Sequence, residues 1–83
     1  MKISEFFKIH GWCQFVSAKD KNGQLVSPKS EDAIAWCISG AAQKLNIDLQ
    51  PLYDRANRSW VSYNDQATTT KEILIAELEK YGF

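Results

Sequence analysis

One histidine and two cysteines are the residues of this sequence best suited to chemistry. His10 precedes Cys13 by three positions, and Cys37 follows farther along the chain. These types allow one specific enzyme hypothesis, in which a cysteine attacks a carbonyl carbon, His10 is its base, and an Asn or Asp orients the base. Asn64 and Asp65 are the candidates for the orienting group. Only the residue types match such a triad, because no glycine-rich nucleophile turn accompanies either cysteine.

The same histidine and cysteines could supply three ligands to a zinc ion, with a carboxylate as the fourth. Structural zinc sites usually draw on closely paired Cys or Cys/His motifs, and the sequence lacks that pairing. The two cysteines are therefore interpreted as buried free thiols, since no export signal favours a disulfide. No phosphate-cradling or other cofactor motif is present, so no metal and no cofactor is expected.

A second candidate site is polar and aromatic. Asn64 and Asp65 follow Trp60 and Tyr63, and aromatic and amide groups on loops often recognise ligands. An Asn-Asp pair can also hydrogen-bond nearby backbone and fix the start of a helix, which would be a structural role. Trp36 presents a similar choice, because it either widens the buried face of its helix or stands exposed as an anchor for a partner. These five residues form the predicted protein-binding site.

Charge and hydropathy exclude several classes of function. Ten basic residues balance ten acidic ones, and neither sign forms a block longer than Glu31-Asp32, so no field gathers a polyanion. Nucleic acid is not expected as a ligand. No apolar run is long enough to cross a membrane, and Met1 to His10 lack the continuous apolar stretch of a signal peptide. We expect a cytoplasmic protein that does not bind membranes.

Short elements must position the candidate residues around one core, because 83 residues leave room for a single domain. A first helix is predicted to begin near Ser4 and to end at Gly11. Extended runs over 15–18 and 24–27, separated by the turn signal Asn22-Gly23, predict a β-hairpin. Its register stays open, since the loop length allows Ala18 opposite Leu25 or Lys19 opposite Val26.

The second half of the sequence reads as helical. A long helix is predicted over Glu31 to Leu45, with Ser30 as N-cap and an apolar stripe of Ile34, Cys37, Ile38, Ala41 and Leu45. The small residues 40–42 predict close packing by another helix or by the hairpin.

Three further segments complete the predicted order of elements. Pro51 suits the start of a short helix, and 57–65 is interpreted as a loop pinned to the core by its aromatic residues. A capping box at Thr69 to Glu72 opens the last helix, which Gly82 ends. The prediction is a mostly helical α+β domain, with a short N-terminal helix, a β-hairpin and about three helices packed on it.

Several short motifs also resemble a known family when taken in order. They are the Asn22-Gly23 turn and, on either side of it, Gly11-Trp12-Cys13-Gln14, Trp36-Cys37-x-x-Gly40-Ala41 and Tyr63-Asn64-Asp65. Together they resemble a family of small, uncharacterised bacterial and phage proteins, over about Gly11 to Leu78. In that family a small residue is typical at the position of Phe15 and Trp is common at that of Tyr63. The resemblance implies the fold and a bacterial or mobile-element origin, and it brings no catalytic residues to transfer.

The function expected from these observations is that of a non-catalytic protein-binding module. In the version that the resemblance implies, a phage or mobile-element accessory protein binds and modulates a host protein complex, such as a defence system, by inhibiting it. A small thiol-dependent enzyme using Cys13 or Cys37 with His10 is the alternative from another class. A third alternative is a homodimer in which Trp36 or Trp60 is buried by the second copy.

Overall fold

The computed structural model describes all 83 residues and contains five helices and one sheet of three short strands. In chain order the elements are α1 (Ile3–Ile9), β1 (Gly11–Trp12), β2 (Ala18–Lys19), β3 (Ala35–Trp36), α2 (Ile38–Leu45), α3 (Gln50–Ala56), α4 (Trp60–Asp65) and α5 (Lys71–Lys80). The predicted mostly helical α+β domain is confirmed. None of the five helices has the length and apolar character that a bilayer crossing requires.

The hydrophobic core draws side chains from every helix. Its largest fully buried apolar members are Ile3, Phe7, Ile38, Leu52, Trp60, Leu74 and Leu78. Helix α1 packs against α5 and α2, and the backbone N–H of Ser4 donates to the carbonyl oxygen of Phe83 at 3.0 Å. Helices of two or three turns are marginal alone, so this shared core is what stabilises them.

The central strand of the sheet is β3, the last of the three in chain order. Strand β3 pairs in parallel with β1, placing Trp12 opposite Trp36, and antiparallel with β2, placing Ala18 opposite Trp36. The predicted hairpin is reduced to one bridge, Lys19 opposite Leu25, which is neither of the two predicted registers. The main partner of β2 is thus β3, a strand that lies outside the predicted hairpin.

The long helix predicted over Glu31 to Leu45 is wrong in its first half. Its residues 35 and 36 form β3, and α2 begins after Cys37, whose Sγ accepts the backbone N–H of Gly40 at 3.3 Å. Ser30, the predicted N-cap, lies between two turns instead, and Ile34 is 55% exposed. Strand β3 is paired on both sides, which satisfies its backbone N–H and C=O groups. Apolar spacing along the sequence cannot reveal such pairing.

Residues 57–65 are predicted as a loop and instead contain α4. Ser59 is its N-cap, with Oγ accepting the backbone N–H of Ser62 at 3.3 Å. The predicted anchoring of this segment to the core is confirmed, because Trp60 is fully buried. The helices predicted at the N-terminus, after Pro51 and at the C-terminus are present as α1, α3 and α5.

The N-cap of helix α5 lies one residue later than the predicted N-cap, Thr69. Thr70 is the N-cap, and its hydroxyl accepts the backbone N–H of Ile73 at 3.2 Å. Gly82 follows the helix with φ of 77°, the left-handed conformation that glycine adopts at helix ends. The predicted end of α5 is therefore confirmed, and the predicted capping box is not.

The prediction of close packing at residues 40–42 is confirmed at Gly40. A Cβ atom at this position would overlap the backbone carbonyl oxygen of Ser17. That carbonyl also accepts the backbone N–H of Cys37 at 3.1 Å, so it is fixed in place. The absence of a side chain at Gly40 lets the segment before β2 lie directly on α2.

Candidate functional site

Asn64 connects three parts of the chain through its fully buried amide. Its Oδ1 accepts hydrogen bonds from Trp12 Nε1 at 2.8 Å and from the backbone N–H of Ile38 at 3.0 Å. Its Nδ2 donates to the carbonyl oxygen of Cys13 at 3.2 Å and to Asp65 Oδ1 at 2.9 Å. An asparagine amide can make four such bonds, so its capacity is used up. The prediction of Asn64 as a protein-binding residue is therefore corrected, because its amide has no hydrogen-bonding group left for a partner.

Trp36 is buried, with 5% of its surface exposed. Its indole Nε1 donates to the carbonyl oxygen of Pro28 at 2.8 Å, and the Phe6 ring meets it edge-on with centroids 5.0 Å apart. Of the two predicted alternatives for this tryptophan, core residue and exposed anchor, the structure supports the core residue. A side chain that is packed and satisfied in this way presents no contact surface.

Trp60 is fully buried, and its ring lies edge-on to those of Tyr63 and Tyr81. The guanidinium of Arg58 lies 5.1 Å from the Trp60 ring centroid and 4.3 Å from that of Tyr63. Trp60 is thus also corrected from anchor to core residue. Tyr63 is half-buried, and its ring is already covered by the Arg58 guanidinium. Of the predicted binding residues, only Asp65 lines a concave surface.

The two thiols are buried and do not form a disulfide, as the sequence predicts. Cys13 Sγ donates to the carbonyl oxygen of Val16 at 3.5 Å. Burial raises the pKa of Cys13 to about 11, with a further contribution from the neighbouring Cys37. Burial likewise raises the pKa of Cys37, against the hydrogen bond it accepts from Gly40. A raised pKa keeps a thiol protonated at neutral pH, the reverse of what a nucleophilic cysteine needs.

His10 does not contact either thiol through a hydrogen bond. Its ring lies against Phe6 at 4.4 Å between centroids and edge-on to Trp36 at 5.6 Å. Its carbonyl oxygen accepts from the Lys71 ammonium at 2.7 Å. Because His10 is engaged away from both thiols, the residues of the predicted triad are not assembled as a triad. His, Cys, Asp and Glu side chains nowhere form a group of three or more that could hold a metal ion.

Phe15 is the unexpected feature of the surface. It is 76% exposed, the largest value among the large apolar side chains, and its backbone has φ of 74°. A bulky residue rarely adopts this left-handed conformation. The Phe15 N–H donates to Asp65 Oδ1 at 2.9 Å, and Gln14 Nε2 donates to the carbonyl oxygens of Asn64 and Gln66 at 3.0 and 2.9 Å. The end of α4 thus holds the backbone that points Phe15 outward.

Phe15 borders a cleft of about 330 Å³ that we call the Phe15 cleft. Leu25 and Val61, 67% and 42% exposed, form its apolar rim together with Phe15, and Val16 also lines it. Cys37 lines it as well, and Asp65 is its one charged lining residue. Val61 and Asp65 are four positions apart on α4, so they share one face of that helix. Three of the seven exposed large apolar side chains are therefore gathered at one concave site.

Sequence reasoning did not single out the Phe15 cleft. The sign that could have found it is Phe15 itself, a large apolar residue where the resembling family typically has a small one. Its ring projects into solvent. The positive φ occurs together with the hydrogen bond to Asp65, a contact across 50 residues that no local pattern predicts.

No protein-family model, no curated protein and no solved structure matches the chain. The resemblance to small bacterial and phage proteins therefore stays a prediction, and the structure defines the class only as a small mostly helical α+β domain.

Proposed function

We propose that the protein is a non-catalytic protein-binding module that docks a partner protein on the Phe15 cleft. The observation that supports this most is the fixed outward position of Phe15. Holding a residue other than glycine in the left-handed region costs about 1–2 kcal/mol. Strain of this kind, maintained by surrounding hydrogen bonds, tends to occur at functional positions.

The composition of the cleft fits a protein partner better than a small polar ligand. Its rim residues Phe15, Leu25 and Val61 offer apolar area, and clustered exposed apolar groups mark interaction surfaces. Phenylalanine and leucine side chains of this kind bury area on association without leaving unpaired polar groups. The net charge of zero means that recognition must come from local contacts and not from a long-range field.

The partner in this proposal is a host protein complex. Size and the resemblance to bacterial and phage proteins support an accessory protein of a mobile element that binds such a complex and inhibits it, for example one of a defence system. Inhibition requires only that the docked domain covers a working surface of the complex, so the domain needs no chemistry of its own.

Variants of the cleft rim test the proposal. Leu25→Ser and Val61→Ser remove apolar surface while leaving the buried core intact. Ile9→Ser and Ile73→Ser are matched controls, since these residues are 66% and 43% exposed and do not line the cleft. Each folded variant is used to capture partners from bacterial lysate, and the captured complex is then purified and its affinity measured.

We expect the rim variants to bind the purified partner at least about tenfold more weakly than the wild type, as loss of an interface contact of about 1.4 kcal/mol implies. The two controls should bind as the wild type does. Rim variants that bind as tightly as the controls would contradict the proposed surface. Sedimentation at two protein concentrations tests the homodimer alternative, since a second copy on the cleft would raise the mass with concentration.

The thiol-enzyme alternative has its own test. A nucleophilic cysteine should react with a disulfide reagent in the native state, whereas buried thiols of raised pKa should react only after unfolding. For Cys13 and Cys37 we expect the second behaviour, because burial raises both pKa values. Rapid native labelling of one thiol would favour the enzyme over the binding module.

A further inference from the structure

The carboxylate of Asp65 has one oxygen committed to the fold and one free. Oδ1 accepts the Phe15 N–H at 2.9 Å and Asn64 Nδ2 at 2.9 Å. Oδ2 accepts no hydrogen bond, and Asp65 forms no ion pair with any lysine or arginine of the chain. Trp60 Nε1 is the only fully buried side-chain nitrogen or oxygen without a partner, so Oδ2 of Asp65 is reached by solvent.

Asp65, which carries this free oxygen, lines a mostly apolar cleft that has no positively charged lining residue. Asp65 is the one charged residue among those lining the Phe15 cleft, and it shares this lining with Phe15, Leu25 and Val61. The charge acts on the cleft, since the pKa of Cys37 on its lining is raised chiefly by burial and to a lesser extent by Asp65. An uncompensated carboxylate beside apolar surface is complementary to a cation carried on an apolar stem.

Arginine meets both requirements better than lysine. Its guanidinium is planar and more weakly hydrated than an ammonium, so it stacks on an aromatic face while donating to a carboxylate. The chain uses the same contact elsewhere, where the Arg58 guanidinium lies 4.3 Å from the ring centroid of Tyr63. Phe15 offers an exposed ring of this kind at the edge of the cleft that Asp65 lines.

We propose that the Phe15 cleft recognises an arginine side chain flanked by apolar residues on the partner protein, with the guanidinium donating to Oδ2 of Asp65 and lying against the Phe15 ring. The inference rests on the proposed function and adds the chemistry of the partner. The aliphatic stem of the arginine and its apolar neighbours then cover Leu25 and Val61.

Two blocked peptides test the charge directly. Acetyl-Leu-Arg-Leu-amide and acetyl-Leu-citrulline-Leu-amide have nearly the same shape, and only the first carries a positive charge. Each is titrated into the isotope-labelled full chain while backbone amide resonances are followed by NMR. We expect the arginine peptide to shift the amides of Phe15, Val61 and Asp65 and to bind about two- to fivefold more tightly than the citrulline peptide.

Asp65→Asn is the decisive variant, because its side-chain oxygen can still accept the N–H of Phe15 while the charge is lost. It should fold as the wild type does and bind the two peptides equally. Val61→Ser is the control, since it should weaken both peptides and leave their ratio unchanged. A lysine peptide that binds as tightly as the arginine peptide would overturn the choice of arginine.

Equal binding of the arginine and citrulline peptides to the wild type, or binding of neither at up to about 5 mM, would overturn the inference. So would an arginine preference that survives Asp65→Asn. These failures are distinct from failure of the proposed function. If the serine variants of Leu25 and Val61 still lose the purified partner, the Phe15 cleft remains a docking surface for a partner of other chemistry.

Discussion

The indole Nε1 of Trp12 donates a hydrogen bond of 2.8 Å to Oδ1 of Asn64, a residue 52 positions later in the chain. Through this bond strand β1 is joined to α4, and the second bond of Oδ1, from the backbone of Ile38, adds the start of α2. The same α4 end holds Phe15 through Asp65. A structural contact and the candidate binding surface therefore depend on two adjacent residues.

Asn64→Ala should be strongly destabilising. The substitution leaves the N–H of Ile38 and the carbonyl of Cys13, which are buried, and the half-buried Trp12 Nε1 without their partner. Because each unsatisfied buried group costs about 1–3 kcal/mol, we expect a loss of about 3 kcal/mol or more in the free energy of unfolding, measured by urea denaturation. Gln66→Ala truncates an exposed amide that makes no side-chain hydrogen bond and should change stability by under about 0.5 kcal/mol. A loss below about 1 kcal/mol for Asn64→Ala would contradict the role given to its side chain.

Gly40→Ala should reverse the usual effect of this substitution in a helix. Alanine is normally favoured over glycine there by about 1 kcal/mol. At Gly40 the added Cβ overlaps the backbone oxygen of Ser17, which no side-chain rotation can relieve. We expect a net loss of about 1–3 kcal/mol, the range for overpacking, seen as a lower urea midpoint. Stabilisation by Gly40→Ala would show that the segment before β2 can move away from α2.

Phe15→Asn should leave the fold at least as stable as the wild type. Asparagine tolerates the left-handed conformation better than phenylalanine, and the ring it replaces is 76% exposed. We expect a change between zero and about 1 kcal/mol of stabilisation, with partner binding lost. Phe7→Ala, at a fully buried position, is the contrasting control and should cost about 3–5 kcal/mol. A large loss of stability for Phe15→Asn would mean that the Phe15 ring serves the fold.

Stability should fall as the solution becomes alkaline. The pKa of Cys13 is raised from 9.0 to about 11, so between these values the folded state holds a proton that the unfolded state releases. The stabilising contribution is complete below pH 9 and is lost as pH rises through 11, by up to roughly 3 kcal/mol. Thermal unfolding at pH 8, 9, 10 and 11 measures it. Cys13→Ser should show a shallower decline, and an identical decline in the two proteins would contradict the burial of this thiol as its cause.

The helices could be predicted from sequence where local signals decide them. A threonine precedes α5 and a glycine follows it, and Pro51 opens α3, so these elements were predicted close to their observed places. The error at 31–37 has a specific origin. Ile34, Cys37 and Ile38 fit the apolar spacing of a helix. Only pairing with β1 and β2, strands earlier in the sequence, makes Ala35 and Trp36 a central strand.

The candidate site was predictable only in part. The sequence pointed to Asn64 and Asp65 as an important polar pair, and it left open whether they act in structure or in binding. In the structure Asn64 has the structural role, because it is buried and fully hydrogen-bonded, whereas Asp65 is half-buried and lines the cleft. The difference between the two residues is their burial, which depends on the elements that pack against each of them.

The sequence by itself determined the class of domain, the balance of charge, the absence of a disulfide and the small residues that allow close packing, because these follow from composition and local spacing. Only the tertiary structure decided that Trp36 and Trp60 are core residues and that Phe15 is the exposed one. The physical reason is that exposure and backbone strain are set by contacts between distant segments. For Phe15 the contact is with Asp65, 50 residues away.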